Sequence, residues 1–208
     1  MDWWAREQAA RAAGFIRIAG VDEAGRGPLA GPVVAAAVHF PVPVPIPDLN
    51  DSKKLKPAAR EALYERITTC GAKWGLGIVA APEIDRINIR QATLRAMCEA
   101  VAGLEFPPDL ILVDGLDRLP LPTAQETLIG GDACCASIAA ASILAKVTRD
   151  RLMDEFELKF PQYGFSLHKG YPTRLHLDRL KLYGPCPIHR RTFRGVSELP
   201  LAKKAFRS

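Results

Sequence analysis

The amino-acid sequence predicts an α/β fold in which a mixed β-sheet is flanked by helices. Near the N-terminus, two apolar segments (15–22 and 28–38) are joined by a glycine-rich turn, which is typical of paired antiparallel strands. Further along, apolar strand-like segments alternate with helical ones, a pattern typical of helices packed on a sheet. The 208 residues suffice for one domain with a small appendage.

The individual elements follow from local signals along the chain. An alanine-rich helix over 1–13 is expected to end at Gly14. After the two strands, alternating prolines over 41–47 favour an extended loop, and Pro57 suits the first turn of a helix. The remaining elements are expected as that helix from 57 to about 70, a strand at 74–81, a helix at about 89–103, a strand at 110–113, a short strand near 126–129, a long helix at about 136–159 and a helix near 173–182.

Composition places the chain among ordinary globular proteins, with 48% hydrophobic and 25% charged residues. The five cysteines show neither metal-site nor disulfide-framework spacing, which favours a reducing compartment. Asp2, Arg6 and Glu7 interrupt any apolar leader, and no run approaches the about 20 apolar residues of a membrane span. We therefore expect a cytoplasmic protein without membrane contact, and a monomer because no oligomer signal is evident.

The net charge of +5 permits a polyanionic partner, and the basic residues concentrate beyond Lys159. Four acids lie instead at the ends of apolar elements, beside a glycine or within two residues of one: Asp22, Glu23, Asp114 and Asp132. Oxygen ligands in such places suit hard cations, and paired divalent ions can promote phosphodiester hydrolysis. Alternatively they are unrelated turn and capping acids; Asp132 in particular would favour the N-terminal end of the long helix.

Two further patterns leave alternatives open. Adjacent residues of a strand point to opposite faces, so Asp22 and Glu23 can serve one site only if the first strand breaks between them. We expect the glycines that follow to supply a means for that break. On the long helix, Ser142, Lys146, Arg149 or Asp150, and Met153 fall on one face. This stripe would suit a phosphate backbone, or it is a solvated face with local ion pairs.

Together the motifs resemble the type 2 ribonuclease H family (ribonuclease HII). The resemblance spans about residues 15–195 and is carried, in the family's order, by segments 20–34, 51–55, 87–97, 112–115, 131–132, 137–150, 163–165, 168–173 and 189–190. It implies a ribonuclease H-like mixed sheet over residues 1–160. It also implies a small basic helical and loop extension, 161–208, that completes the substrate cleft.

The resemblance implies an endonuclease that cuts the RNA strand of RNA–DNA hybrids. It also implies cutting 5′ of single ribonucleotides in duplex DNA, which leaves a 3′-hydroxyl and a 5′-phosphate. Mg²⁺ or Mn²⁺ is the implied cofactor, held by the catalytic acids Asp22, Glu23, Asp114 and Asp132. The implied substrate-binding residues are Gly25, Arg26, Gly27 and Tyr171 at the RNA–DNA junction, with Ser52, Lys53, Lys54, Lys146 and Lys169 near the phosphates.

For the acids we expect Asp22 and Asp114 to contact both ions, and Glu23 and Asp132 to complete one site each. Two other functions remain open at this point. A nuclease of the same fold directed at DNA would cut all-DNA substrates equally well. A non-catalytic module would bind hybrids through the same surface without turnover.

Overall fold

The computed structural model describes residues 2–46 and 55–199. Within them lies a five-stranded sheet in the order β3-β2-β1-β4-β5, built from β1 (Ile18–Ala24), β2 (Val33–His39), β3 (Lys73–Val79), β4 (Leu110–Asp114) and β5 (Ala124–Leu128). The neighbours β1–β2 and β2–β3 run antiparallel, whereas β1–β4 and β4–β5 run parallel. The sheet is therefore mixed, as predicted.

Helices cover both faces of the sheet: α1 (Ala5–Ala12), α2 (Pro57–Thr69), α3 (Ala81–Ile87), α4 (Ile89–Ala102), α5 (Ala136–Lys159), α6 (Phe165–His168) and α7 (Arg174–Tyr183). One core joins α4 to side chains such as Val21 and Ile111, and another joins α5 and α2 to Val34 and Ala36. In the described ranges, no helix combines the length and apolar composition needed to span a bilayer.

The close approach of α5 to β1 depends on Gly20. A Cβ atom at Gly20 would lie 2.3 Å from the backbone carbon of Ser137, so any side chain there would push the helix away. Because α5 lies against the strand at this point, its N-terminal half is fixed beside Asp22, two residues further along β1. The spacing between strand and helix therefore determines the depth of the cleft at the strand end.

The start of α5 is stabilised by the N-terminal helix. The buried Glu7 carboxylate accepts hydrogen bonds from the Ser137 backbone N–H at 2.8 Å and from its hydroxyl at 2.7 Å. A carboxylate at this end of a helix offsets the positive end of the helix dipole. The sequence predicted α1 but gave no indication that it supplies a cap to another helix.

One predicted strand starts later in the structure, and an unpredicted helix, α3, precedes the helix that was predicted at about 89–103. The segment 28–38 is a strand only from Val33, because Pro28 and Pro32 lack an N–H group and the N–H groups of Leu29 and Gly31 donate to Gly170 and Ile188 instead. Residues 81–102 form two helices, since Asn88 adopts a φ of 68° and its side chain accepts the Gln91 N–H at the start of α4. The short α6 was not predicted.

Candidate active site

A cavity of about 220 Å³ opens where β1 and β4 end. It is lined by Asp22, Glu23, Ala24, Gly25, Arg26, Gly27, Asp114, Lys146 and Tyr171. Most of the predicted site residues in the described ranges therefore lie around one space, although they come from distant parts of the chain. Asp132 and Lys169 do not line the cavity, and Ser52, Lys53 and Lys54 lie outside the described residues.

The strand β1 does not break between the two adjacent acids. Asp22 pairs with Ala36 and Glu23 with Ala35 in an uninterrupted ladder that continues to Ala24. The alternation of a strand places Asp22 on the α5 side, as for Gly20, and Glu23 on the α4 side. The expected break was therefore wrong: both acids line the same cavity because it lies across the end of the sheet.

Asp114 is held in place by the turn that follows β5. The Gly131 N–H donates to the Asp114 carboxylate at 2.8 Å, and the Gly115 N–H donates to the Leu128 carbonyl at 2.9 Å. Residues Gly131–Ala133 form a short 3₁₀ turn that carries the buried Asp132. The last residue of β4 and the turn before α5 are thereby fixed to each other.

The four acids share one electrostatic environment. The pKa of Asp22 is raised well above its ordinary value, first by burial and then by the negative charges of Glu23, Asp114 and Asp132. The Glu23 backbone N–H, which donates to Asp22 at 2.6 Å, opposes this shift only in part. The unfavourable charge is the kind of field that a bound cation would relieve.

The donor chemistry of these acids fits hard divalent cations, which prefer carboxylate oxygens. As the side chains are placed, the described residues include no group of three or more His, Cys, Asp or Glu that could hold a metal ion. A site built from these four acids would therefore require their carboxylates to approach one another.

The glycine turn and Tyr171 form the opposite wall of the cavity. Gly25 adopts a φ of +96°, a conformation that favours glycine, and a Cβ atom at Gly27 would lie 3.8 Å from the Tyr171 ring. Tyr171 is 42% exposed, so its ring is available to a ligand in the cleft. The side chain of Arg26 pairs with Glu23 at 3.3 Å, which links the turn to the acids.

The predicted basic positions differ in their surroundings. Lys146 lies at the cavity, where its ammonium donates to Asp150 at 2.7 Å and burial lowers its pKa. Lys169 pairs with Asp154 instead and adopts a φ of 50°. Both ammonium groups are thus held by carboxylates of α5, but only Lys146 lines the cavity.

The predicted polar stripe on α5 is neither a solvated face nor a continuous phosphate-binding surface. Ser142, Arg149 and Met153 are buried, at 3%, 1% and 0% exposure. The Arg149 guanidinium donates to the carbonyl groups of Ala30, Pro32 and Lys169. The available sequence signal for this role was an arginine within an alanine-rich, apolar helix, because a charge buried there requires hydrogen-bond acceptors.

Sequence reasoning missed a second buried arginine, Arg190, among the many basic residues of the C-terminal segment. It is 0% exposed, and its guanidinium binds carbonyl groups of the glycine turn. Three histidines lie buried nearby: His168, His176 and His189. Charge and residue type do not distinguish these residues from solvated basic ones, although the family segments 168–173 and 189–190 include His168, His189 and Arg190.

Comparison with known proteins adds an independent line of evidence. The family model described as Ribonuclease HII matches residues 19–196. Ribonuclease HII of Geobacter metallireducens is 54% identical over 195 residues, covering 94% of this chain and 92% of its own. Ribonuclease HII of Syntrophobacter fumaroxidans is 57% identical over 196 residues, covering 94% of this chain and 84% of its own.

Solved structures are similar in fold. The ribonuclease H2 from Pyrococcus horikoshii OT3 matches with a TM-score of 0.71 at 28% identity, over 87% of this chain and 95% of that one. The PCNA:RNase HII complex from Archaeoglobus fulgidus contains a chain that matches with a TM-score of 0.69 at 26% identity, over 91% and 98%. The predicted ribonuclease H-like architecture is thereby confirmed.

Proposed function

Because the chain belongs to the ribonuclease HII family, we propose that it cuts 5′ of single ribonucleotides embedded in duplex DNA as well as the RNA strand of RNA–DNA hybrids. Family membership makes it an endoribonuclease, so the non-catalytic alternative falls away. The observation that supports the finer proposal is the cavity itself. It sets carboxylates suited to phosphodiester hydrolysis beside a glycine turn and a tyrosine suited to a ribose.

Asp22, Glu23, Asp114 and Asp132 would hold the divalent cations, Mg²⁺ or Mn²⁺. When bound, a pair of such ions would activate a water molecule and stabilise the leaving oxygen, with a 3′-hydroxyl and a 5′-phosphate as products. The raised pKa of Asp22 supports this assignment, because burial and three neighbouring carboxylates make its charge costly without a counterion. The Gly131 N–H holds Asp114 in position for the same site.

The other wall of the cavity would select the substrate. Only the ribonucleotide carries a 2′-hydroxyl, and backbone groups of residues 25–27 together with Tyr171 are close enough to one another to contact a single sugar. Lys146 would contact a phosphate, because its ammonium faces the cavity and is fixed by Asp150. Such phosphate contacts position the duplex without reading its sequence. The same role is proposed for Ser52, Lys53, Lys54 and Lys169.

The decisive experiment uses a labelled DNA duplex with one ribonucleotide, an all-DNA duplex of the same sequence, and a matched RNA–DNA hybrid. With Mg²⁺ or Mn²⁺, the wild-type protein should cut immediately 5′ of the ribonucleotide and leave the all-DNA duplex intact. Cutting of both duplexes at similar rates would instead support a DNA-directed nuclease. Cutting of the hybrid alone would refute incision at single ribonucleotides.

Two aspartate variants assign the cut to the described site. Asp114→Asn should abolish turnover but retain binding, because the side chain keeps its shape and loses its charge. Asp117→Asn is the matched control, since Asp117 lies nearby and its carboxylate pairs with Arg90 at 2.7 Å on the surface. Full activity in the Asp114 variant would exclude this cavity as the active site.

A further inference from the structure

Arg190 is a buried cation whose side-chain hydrogen bonds all go to the backbone. Its Nε donates to the carbonyl of Gly31 at 3.0 Å, its Nη1 to that of Arg26 at 2.9 Å and its Nη2 to that of Gly25 at 2.6 Å. Taking a guanidinium out of water is costly unless acceptors replace the lost hydration. The energetics therefore favour the one loop conformation in which these carbonyl groups point at Arg190.

That conformation also fixes the direction of the N–H groups in the same peptide units. In a trans peptide the C=O and the following N–H point in opposite directions, and the described chain has no cis peptide bond. Since the carbonyls of Gly25 and Arg26 point at Arg190, the N–H groups of Arg26 and Gly27 point away from it. In the described part of the chain neither N–H has a protein acceptor.

The loop also has no room to relax on its other side. A Cβ atom at Gly25 would lie 2.1 Å from Nε of Arg149, so the second buried arginine packs directly against this turn. Arg149 also donates to the carbonyls of Ala30 at 3.0 Å and Lys169 at 3.0 Å. The glycine turn and the segment leading to Tyr171 are thus held at a fixed spacing.

We infer that Arg190 is a positioning residue for ribose recognition, which turns the N–H groups of Arg26 and Gly27 into the cavity as donors to the 2′-oxygen of a ribonucleotide. The inference rests on the proposed function, because it concerns the same cavity and the same substrate. Lysine would keep the charge but not the planar fork that serves three carbonyls. The direction of two peptide groups therefore depends on a side chain that never touches the substrate.

The test measures how strongly the protein senses the 2′-hydroxyl. In an Asp114→Asn background, which prevents cleavage, dissociation constants are measured for a duplex with one ribonucleotide and for the all-DNA duplex. We expect Arg190→Lys to reduce the ratio of the two constants about tenfold, as expected for losing one or two hydrogen bonds. General damage to the protein would weaken the binding of both duplexes equally and leave the ratio of the two dissociation constants unchanged.

Two further variants control the result. Arg191→Lys, a change at the exposed neighbouring arginine, should leave the ratio unchanged. If Arg190→Lys fails to unfold cooperatively, Phe193→Leu takes its place, because the Phe193 ring lies 5.0 Å from the Arg190 guanidinium and supports it. This milder change should lower the ratio about threefold, because it should weaken the hydrogen bonds of Arg190 without removing them.

An unchanged ratio in the folded Arg190 variant, or in the Phe193 variant where that one is used, overturns the inference. Equal binding of both duplexes by the Asp114→Asn protein overturns it as well, since binding would then not depend on the 2′-hydroxyl. The proposed function is judged separately, by cleavage of the ribonucleotide duplex by the wild-type protein. A wild type that cuts correctly beside an unchanged binding ratio would refute the role of Arg190 alone.

Discussion

Two clusters of buried and half-buried ionisable residues lie on opposite sides of the glycine turn, and the protein treats their charges in opposite ways. The acid cluster consists of Asp22, Glu23, Asp114 and Asp132. The C-terminal polar cluster consists of Arg149, Arg190, His168, His176 and His189. In the first, burial and then the neighbouring negative charges raise the pKa of Asp22. In the second, every one of these side chains has partners in the protein itself.

Two histidines of the C-terminal polar cluster, His189 and His176, form a directed chain of hydrogen bonds. The Cys186 N–H donates to Nδ1 of His189, so His189 carries its proton on Nε2 and donates to Nε2 of His176 at 3.0 Å. His176 then carries its proton on Nδ1 and donates to the Tyr171 carbonyl at 2.9 Å. The tautomer of each histidine follows from its hydrogen-bond partners. The chain ends at the backbone of Tyr171, the residue proposed to contact the RNA–DNA junction.

The difference separates groups that serve the reaction from groups that serve the scaffold. We therefore expect the acid cluster to lower the stability of the protein without cations, because the pKa of Asp22 is raised. The arginines and histidines are instead held by hydrogen bonds to uncharged groups, and these bonds fix the walls of the cleft. Stability and activity should therefore oppose each other in the acid cluster. In the C-terminal polar cluster they should change together.

The largest effect is expected for Asp22→Asn. Turnover should fall by about 10³-fold or more, because a ligand of the proposed metal site would be lost. In metal-free buffer at neutral pH the melting temperature should rise. The raised pKa means that the folded state binds a proton more readily than the unfolded state, so the ionised carboxylate lowers stability as the pH rises above its ordinary range.

Calorimetry of the metal-free protein checks the stability arm, and the single-ribonucleotide duplex checks turnover. Asp178→Asn, on the exposed surface of α7, is the control for loss of one surface carboxylate. A lower melting temperature in the Asp22 variant than in the wild type would mean that the acid cluster is stabilising. The contrast between the two clusters would then fail.

Divalent cations should stabilise the wild-type protein. At about 100 times the dissociation constant, a ligand bound only by the folded state adds about 2.7 kcal/mol, or about 5–10 °C in melting temperature for a chain of this size. The increase should be smaller in Asp22→Asn and unaltered in Asp117→Asn. Thermal unfolding across a Mg²⁺ titration measures it, and equal shifts in wild type and Asp22→Asn would place the ion elsewhere.

The acid cluster was accessible from the sequence because each acid follows an apolar element and lies near a glycine. The mixed sheet and the long helix α5 were likewise predicted from periodicity, and the structure confirms both. The C-terminal polar cluster was not predicted. Its role depends on carbonyl groups of residues 25–32, more than a hundred positions away in the chain from Arg149 and Arg190, and side-chain type alone does not indicate backbone partners.

The histidine chain predicts acid sensitivity of the fold. Burial lowers the pKa of His176 to about 4 and, together with the neighbouring His176, that of His189 to about 3. The unfolded chain takes up these protons first as the pH falls below the ordinary value of 6.5, so stability is lost in that range. Between pH 7 and pH 5 each histidine should account for about 2 kcal/mol at most.

Urea unfolding at pH 7 and pH 5 measures this loss. His189→Gln, which cannot take up a proton in this range, should lose less stability on acidification than the wild type. It should also be less stable at pH 7, because its hydrogen bond to His176 is altered. The same acid-induced loss in both proteins would show that other groups are responsible for it.

The smallest change is the removal of one oxygen atom in Tyr171→Phe, at the boundary between the two clusters. The ring is 42% exposed and would remain beside Gly27, so the free energy of unfolding should stay within about 0.5 kcal/mol of the wild-type value. Junction cutting should slow about three- to tenfold relative to cutting within a long hybrid, which is the worth of one hydrogen bond. The ratio of the two cleavage rates, measured beside Tyr183→Phe as an exposed control, detects this loss. An unchanged ratio in Tyr171→Phe would show that the hydroxyl does not contribute to recognition. The backbone N–H groups positioned by Arg190 would then be the groups that contact the 2′-oxygen.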